Sequence, residues 1–361
     1  MTASRPPAPA SRRPTVVLGL LALALALLAA IDLSVGSTGF WSPGDTVQGL
    51  AATLGWGPDL GARQVVFELR LGRVLTALGV GAALAYAGVL LQGIFRNDLA
   101  APGVIGVSSG AALGASLAIF ALGGYAGASA LEHLGAIAPL AVSAAAFVGA
   151  FVSAGVIAVF SSLHGRLSVP TLLLLGIAVN ATWGGVLTLL QAIALTDYDL
   201  VSALLTWSFG TLTDRLPTQV SVLWGGLALA VLVAPRLAWP LDLLQSGEED
   251  AAALGVDVAR VKWWGLAAAT LAASVAVAVA GQIGFVGLVA PHLVRQFVGR
   301  AHRVTIPACL LAGPVLLLGA DLLRWVLPTA QGLPPGVVTS LIGGPFFFYL
   351  LWRNRREVST W

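Results

Sequence analysis

The sequence predicts an all-α polytopic membrane protein of about ten transmembrane helices. Three observations carry that reading. Of 361 residues, 58% are hydrophobic and only 10% charged, whereas soluble domains carry roughly 25% charged residues. Apolar runs of about 20 residues, the length that crosses a hydrocarbon core as a helix, recur along the whole chain. The basic residues are distributed unevenly between alternate loops, as the positive-inside rule requires of a multi-span protein. Ten spans use about 200 residues, which excludes large extramembrane domains.

The elements follow in order. A run from Val16 to Ile31 behind Arg5, Arg12 and Arg13 is long for a signal peptide and no clear A-x-A cleavage site follows it, so it reads as a first span over 15–35 after a tail at 1–14. The second span, 66–94, carries Gly79, Gly81 and Gly88, small residues that let helix backbones approach closely. Spans at 104–123 and 284–299 are the least regular. Glycine and proline are dense at 102–114 and 281–291, where re-entrant pieces compete with full crossings. Plain apolar runs give the remaining spans at 136–160, 170–194, 217–235, 260–281, 304–325 and 336–352, with a tail at 354–361.

The longest polar loop covers 236–259. In it, Ser246 and Glu249 have capping-box spacing, Glu248 to Asp250 load a first helical turn with acid, and Gly255 is a natural stop. A short helix at 247–254 follows, with Ala251, Ala252, Ala253 and Leu254 as a small apolar face. A solvated loop helix and a partner-binding helix both fit that pattern.

Ten crossings with both termini in the cytoplasm put Arg96, Arg166, Arg236, Arg260, Lys262, Arg295, Arg300 and Arg303 inside, with the basic residues of both tails. Outside fall Arg63, Arg70, Arg73, Arg215 and Arg324. Every Asp and Glu lies near a loop or helix end in this assignment, which disfavours an ion-coupled secondary transporter, because such proteins carry intramembrane acids.

Several functions drop out. Cys309 is the single cysteine, so there is neither a disulfide framework nor a cysteine metal site. His133, His164, His292 and His302 have no ligand spacing, and a structural role is expected for each. No catalytic triad or carboxylate pair is apparent. The only lysine, Lys262, is not preceded by a phosphate-binding loop, so the chain has no Walker-type ATP site. Basic residues do not interleave with aromatics, which sets nucleic acid aside.

Four segments carry more specific information: Arg-Leu-Gly-Arg at 70–73 with the Gly-rich run 80–92; Arg-Asn-Asp-Leu-Ala-Ala-Pro-Gly at 96–103 with Gly-Val-Ser-Ser-Gly-Ala at 106–111; Gly-Gln-Ile-Gly-Phe-Val-Gly-Leu-Val-Ala-Pro-His at 281–292; and Pro-Pro-Gly-Val-Val-Thr-Ser-Leu-Ile-Gly-Gly-Pro-Phe-Phe at 334–347. With Ala-Asp-Leu-Leu-Arg at 320–324, their order and spacing resemble the FecCD-type permeases over residues 15–353. These are the membrane subunits of ABC importers for ferric siderophores, haem and cobalamin. Gly72 and Asp98 depart from the pattern, which usually has proline at both places.

The resemblance implies a type II ABC importer permease with an inverted repeat, spans two to five against seven to ten. It implies a homodimer in the cell membrane, two separate ATPase chains that bind ATP and Mg, and an extracytoplasmic substrate-binding protein that delivers a metal chelate. The permease itself would bind no cofactor or metal. Arg70, Arg73 and Arg324 would dock the binding protein. Interfacial anchoring, and for Arg324 an internal pair with Asp321, are the alternatives open from the residues alone. The helix at 247–254, with Ser246, Glu248, Glu249, Ala252, Leu254 and Gly255, would be the coupling helix that enters a groove of the ATPase. Asn97, Leu99, Ser168 and Val169 would form the inner mouth of a pathway lined by the fifth and tenth spans. Asn180 faces either that lumen or a neighbouring helix. Ferric siderophore is the first expectation for the substrate, with haem or cobalamin behind it.

Overall fold

The computed structural model describes residues 13–36, 39–123, 137–162, 168–326 and 333–353. His133, His164, Arg166 and the tails other than residues 13 and 14 lie outside them. Fourteen α-helices are found among the described residues. The expected spans correspond to α1 (Arg13–Ser34), α3 (Ala62–Phe95), α4 (Val107–Ala121), α5 (Ile137–Ser161), α6 (Val169–Ala194), α8 (Pro217–Val231), α11 (Val258–Ala280), α12 (Val286–Val298), α13 (His302–Val326) and α14 (Pro335–Arg353). Six helices (α1, α3, α5, α6, α11 and α13) are long and apolar enough to cross a membrane alone, and a seventh span results if α8 is joined to α9 (Ala234–Leu244) across a 53° bend.

Three short helices were not anticipated: α2 (Pro43–Thr53), α7 (Tyr198–Phe209) and α9. The first has a sequence cause. Ser42 accepts from the Asp45 amide while Asp45 accepts from the Ser42 amide, a reciprocal cap with Pro43 at the first helical position. Two short antiparallel strands, β1 (Val35–Gly36) and β2 (Gly39–Phe40), called the hairpin below, lie between α1 and α2. The short helix expected at 247–254 exists as α10, Glu248–Ala253.

α3 is the axis of the bundle. It is buried along most of its length and packs against α8, α11, α12 and α13. Glycine makes this closeness possible. A Cβ on Gly88 would lie 1.8 Å from the Gly287 carbonyl oxygen of α12, so the two backbones touch directly.

α4 and α12 are short because each starts part-way along the bundle. Gly106, just before α4, lies against Ser153 and Ile157 of α5 and Val179 of α6, while Gly287, at the start of α12, lies against Leu84 of α3 and Pro102. Apart from Pro102, those neighbours are in the bodies of their helices, and a 3-10 turn at Pro102–Ile105 leads into α4. The backbone between spans two and three therefore climbs back into the protein. Irregular backbone at such depth is tolerated where protein surrounds it.

Candidate functional site

The functional residues fall at three levels of the bundle. At the hairpin end, Arg70 and Arg73, three apart on α3, share a face with Arg324 of α13. All three side chains are buried. Arg70 donates to the carbonyls of Leu33, Ser34 and Gly39, and stacks over Trp41 at 5.0 Å. Arg73 donates to the Asp32 carboxylate at 3.0 Å and to the carbonyls of Asp32 and Val35. Asp321 lies 2.8 Å from Arg324 Nε and 3.4 Å from Arg73 Nε, and both Asp32 and Asp321 have 0% side-chain exposure.

The arginines thus come together as expected, but not as freely projecting groups. They clamp the hairpin and α1 onto α3 and α13, and the internal Asp321–Arg324 pair is present. Asp32 and Asp321 lie near the ends of α1 and α13, as expected of the acids, but both are buried, each held by arginine. Sequence spacing exposes the second pair but not the first, because Asp32 and Arg73 are 41 residues apart.

Outside the bundle, the Asp45 carboxylate is held below its ordinary value of 3.8 by the Ser42 hydroxyl first and by Arg63 second. Arg63 pairs with Asp45 at 2.8 Å, remains 58% exposed and lies over Trp41. It is the most accessible arginine of this cluster.

At the middle level, a pocket of about 510 Å³ is lined by Ser108, Ser208, Gln282 and Ser340 with Phe209 and Gly336. Three of the segments singled out by sequence meet here: the start of α4, the α11–α12 connection and the start of α14. Glycine permits it, since a Cβ on Gly336 would lie 2.3 Å from the Phe209 carbonyl and 2.5 Å from that of Gln282. The lining mixes these polar groups with Ile283, Val337 and Leu341 and carries no formal charge. Asn180 is not part of it: its amide donates to the Gly103 carbonyl and its oxygen accepts from Ser109. It fastens the 3-10 turn to α6, which is the second of its two sequence readings. Tyr86 likewise faces the core and donates to the Ala230 carbonyl.

At the third level is the end that carries α10. Asn97 and Leu99 lie in the turn after α3, where the Asn97 side chain accepts from the Leu99 amide. Ser168 caps α6 just before Val169. The expected Ser246–Glu249 cap of α10 is not formed. Gly247 occupies the cap position at φ 137° with no side-chain cap, which a residue with a Cβ would rarely adopt. Glu248 instead accepts from Lys262 of α11 at 2.6 Å, a lysine with 4% exposure. Gly255 has φ +87° just past the helix, as a C-terminal stop requires. Ala251 is buried, whereas Ala252, Ala253 and Leu254 face outward with Glu249 and Asp250.

His302 joins two helices, a structural contact. A carboxylate adjoins it: Asp242 of α9 lies 2.7 Å from its Nδ1 and accepts from its amide at 2.7 Å. The two are 60 residues apart, so no local spacing reveals them. His292 is beside Gln296 and Phe346. No cluster of three metal-ligating side chains occurs among the described residues.

The profile of the FecCD transport family matches residues 22–353. This chain belongs to the FecCD transport family. A cobalamin import system permease of Halobacterium salinarum is 36% identical to it, over 98% of this chain and 92% of that protein. The hemin transport system permease of Yersinia pestis is 36% identical, covering 96% and 98%, and a molybdate import system permease of Haemophilus influenzae is 33% identical, covering 95% and 97%. Among solved structures, an inward-facing metal-chelate type ABC transporter superposes with a TM-score of 0.76 at 30% identity, over 94% of this chain and 99% of that one. The FecCD chain is accordingly a multi-pass membrane permease of the ABC importer kind. In such importers ATP hydrolysis and substrate capture belong to separate ATPase subunits and binding proteins. Its relatives carry different cargoes, so family membership leaves the cargo of this permease open.

Proposed function

We propose that this FecCD permease forms a homodimer that imports a metal chelate, with a ferric siderophore as the first candidate and haem or cobalamin as the alternatives. The observation that carries the reading is the middle pocket. The start of α4, the α11–α12 connection and the start of α14 line it with hydroxyls, an amide and apolar side chains, without any formal charge. Such a lining suits passage of a bulky, oxygen-rich complex better than tight capture of a bare ion.

Both termini and α10 are cytoplasmic in this scheme, and the hairpin end is extracytoplasmic. A binding protein docks around Arg70, Arg73 and Arg324. Because Asp32 and Asp321 already neutralise part of that cluster, an incoming carboxylate engages it by exchange, while Arg63 is directly reachable. The outward face Ala252–Leu254 of α10 enters a groove on the ATPase, a helix-in-groove contact of ordinary kind. The turns at Asn97–Leu99 and Ser168–Val169 close the inner mouth.

The test is uptake into proteoliposomes of labelled ferric siderophore, haemin and cobalamin, each presented by the cognate binding protein. ATP-dependent uptake of one of them supports the reading and names the cargo. Uptake of none, from an assembly that hydrolyses ATP, overturns the metal-chelate assignment.

A further inference from the structure

The end of the bundle that carries α10 holds a set of contacts that neither the docking nor the passage of substrate explains. Asp98 lies between Asn97 and Leu99, where the family pattern usually has proline. Its carboxylate is gripped from both sides. Oδ1 accepts from Arg295 Nη1 of α12 at 3.2 Å, and Oδ2 accepts from Arg300 Nη2 in the turn after α12. Arg295 is anchored in turn, because the same nitrogen donates to Gln92 Oε1 of α3, and its side chain has only 9% exposure.

Arg300 is connected in the other direction. Its carbonyl accepts from Gln245 Nε2 at 3.3 Å, and Gln245 is the last residue before the Ser246–Gly247 step into α10. Two residues beyond Arg300, His302 is fastened to Asp242 of α9. A continuous polar path therefore runs from α10 through Gln245 and Arg300 to Asp98 and the turn bearing Asn97 and Leu99. Beside it is a pocket of about 320 Å³ lined by Gln92, Arg96, Asp98, Gln245, Arg295 and His302 among others, so the clasp has room to part without repacking the apolar core.

We propose that Asp98, clasped by Arg295 and Arg300, is the positioning residue that ties the inner-mouth turn to the segment bearing α10, so that displacement of α10 is delivered to Asn97 and Leu99. The inference rests on the reading of α10 as the ATPase contact. Arg300 is 63% exposed, so its substitution spares the core, and the strength of the clasp comes from two charge-assisted contacts on one carboxylate.

The experiment uses Leu99→Cys in the assembled transporter and follows its labelling by a membrane-impermeant maleimide with and without ATP. Leu99 is 38% exposed, whereas the native Cys309 is 0% exposed, so the signal reports the turn. With the clasp intact, ATP changes the labelling rate. In Asp98→Asn and in Arg300→Ala, ATP hydrolysis continues but the ATP-dependent change in labelling shrinks about threefold or more. The double variant is no worse than either single one, as for two residues acting through one contact. Arg300→Lys keeps the charge and retains most of the change. A response to ATP that is unaltered in both single variants, or losses that multiply in the double variant, overturns the clasp and leaves the permease reading standing. Failure of the unsubstituted protein to assemble with any ATPase overturns the permease reading itself.

Discussion

Replacing Asp321 by alanine is expected to destabilise the protein more than replacing any exposed acid. Asp321 has 0% exposure and lies 2.8 Å from Arg324 Nε and 3.4 Å from Arg73 Nε, whose side chains have 9% and 4% exposure. At an effective dielectric of about 20, each contact is worth roughly 5 kcal/mol before desolvation is counted. Desolvation of the carboxylate offsets much of that gain, and breaking a buried pair from one side costs about 3–5 kcal/mol net, because a buried charge is left without its partner. Here two guanidiniums are left, and Asp32 pairs directly only with Arg73. The assay is reversible unfolding in mixed micelles titrated with a denaturing detergent, for Asp321→Ala, Arg324→Ala and the double variant. The double variant should lose less than the sum of the singles by about 1–3 kcal/mol. A loss below about 1 kcal/mol for Asp321→Ala, or strict additivity, would refute the account of these arginines as an internal clamp.

Other expectations follow from the same geometry. Gly88→Val should impair assembly of the bundle by more than the roughly 1–3 kcal/mol of ordinary overpacking, because even a Cβ would lie 1.8 Å from the Gly287 carbonyl; the detergent titration reads this, and normal stability would mean that α3 and α12 are not in contact. Arg63→Glu should weaken docking of the binding protein at low salt and less so at high salt, beyond a small loss of stability from the broken Asp45 pair, and binding measured at two ionic strengths tests it. Glu248→Gln removes the partner of Lys262 while keeping a hydrogen-bond acceptor, so coupled uptake should fall with ATP hydrolysis largely retained; equal loss of both would point to simple misfolding. The depressed pKa of Asp45 means that its cap on α2 is fully formed above pH 3.8 and is lost as pH falls through the lowered folded-state value. Amide exchange in the first turn of α2 should therefore accelerate relative to other helices only below pH 3.8, and an earlier onset would contradict the cap.

The ten apolar runs were legible because membrane solvation demands them, and their ends fall within a few residues of the helices found. α10 was legible from its acidic first turn and Gly255, although the cap position fell to Gly247 and the Ser246–Glu249 cap did not form. The Ser42–Asp45 cap of α2 was readable in the same way, yet a search for long apolar windows passes over an 11-residue helix. Partners far apart in the chain were not readable. Asp32 with Arg73, Asp242 with His302, and Asp98 with Arg295 and Arg300 become neighbours only when the helices are packed, and no local periodicity encodes them. The same limit explains the arginines: spacing shows that Arg70 and Arg73 share a face, but which way that face is turned depends on α1, α13 and the hairpin.

The central claim is that this permease converts the work of a separate ATPase into passage of cargo, and the most direct measurement is ATP hydrolysis in proteoliposomes containing the permease and its candidate ATPase, with and without the loaded binding protein. A stable assembly is expected, whose hydrolysis rises when the loaded binding protein is present on the hairpin side. Absence of assembly with any ATPase, or hydrolysis indifferent to the binding protein on either side of the membrane, would contradict it.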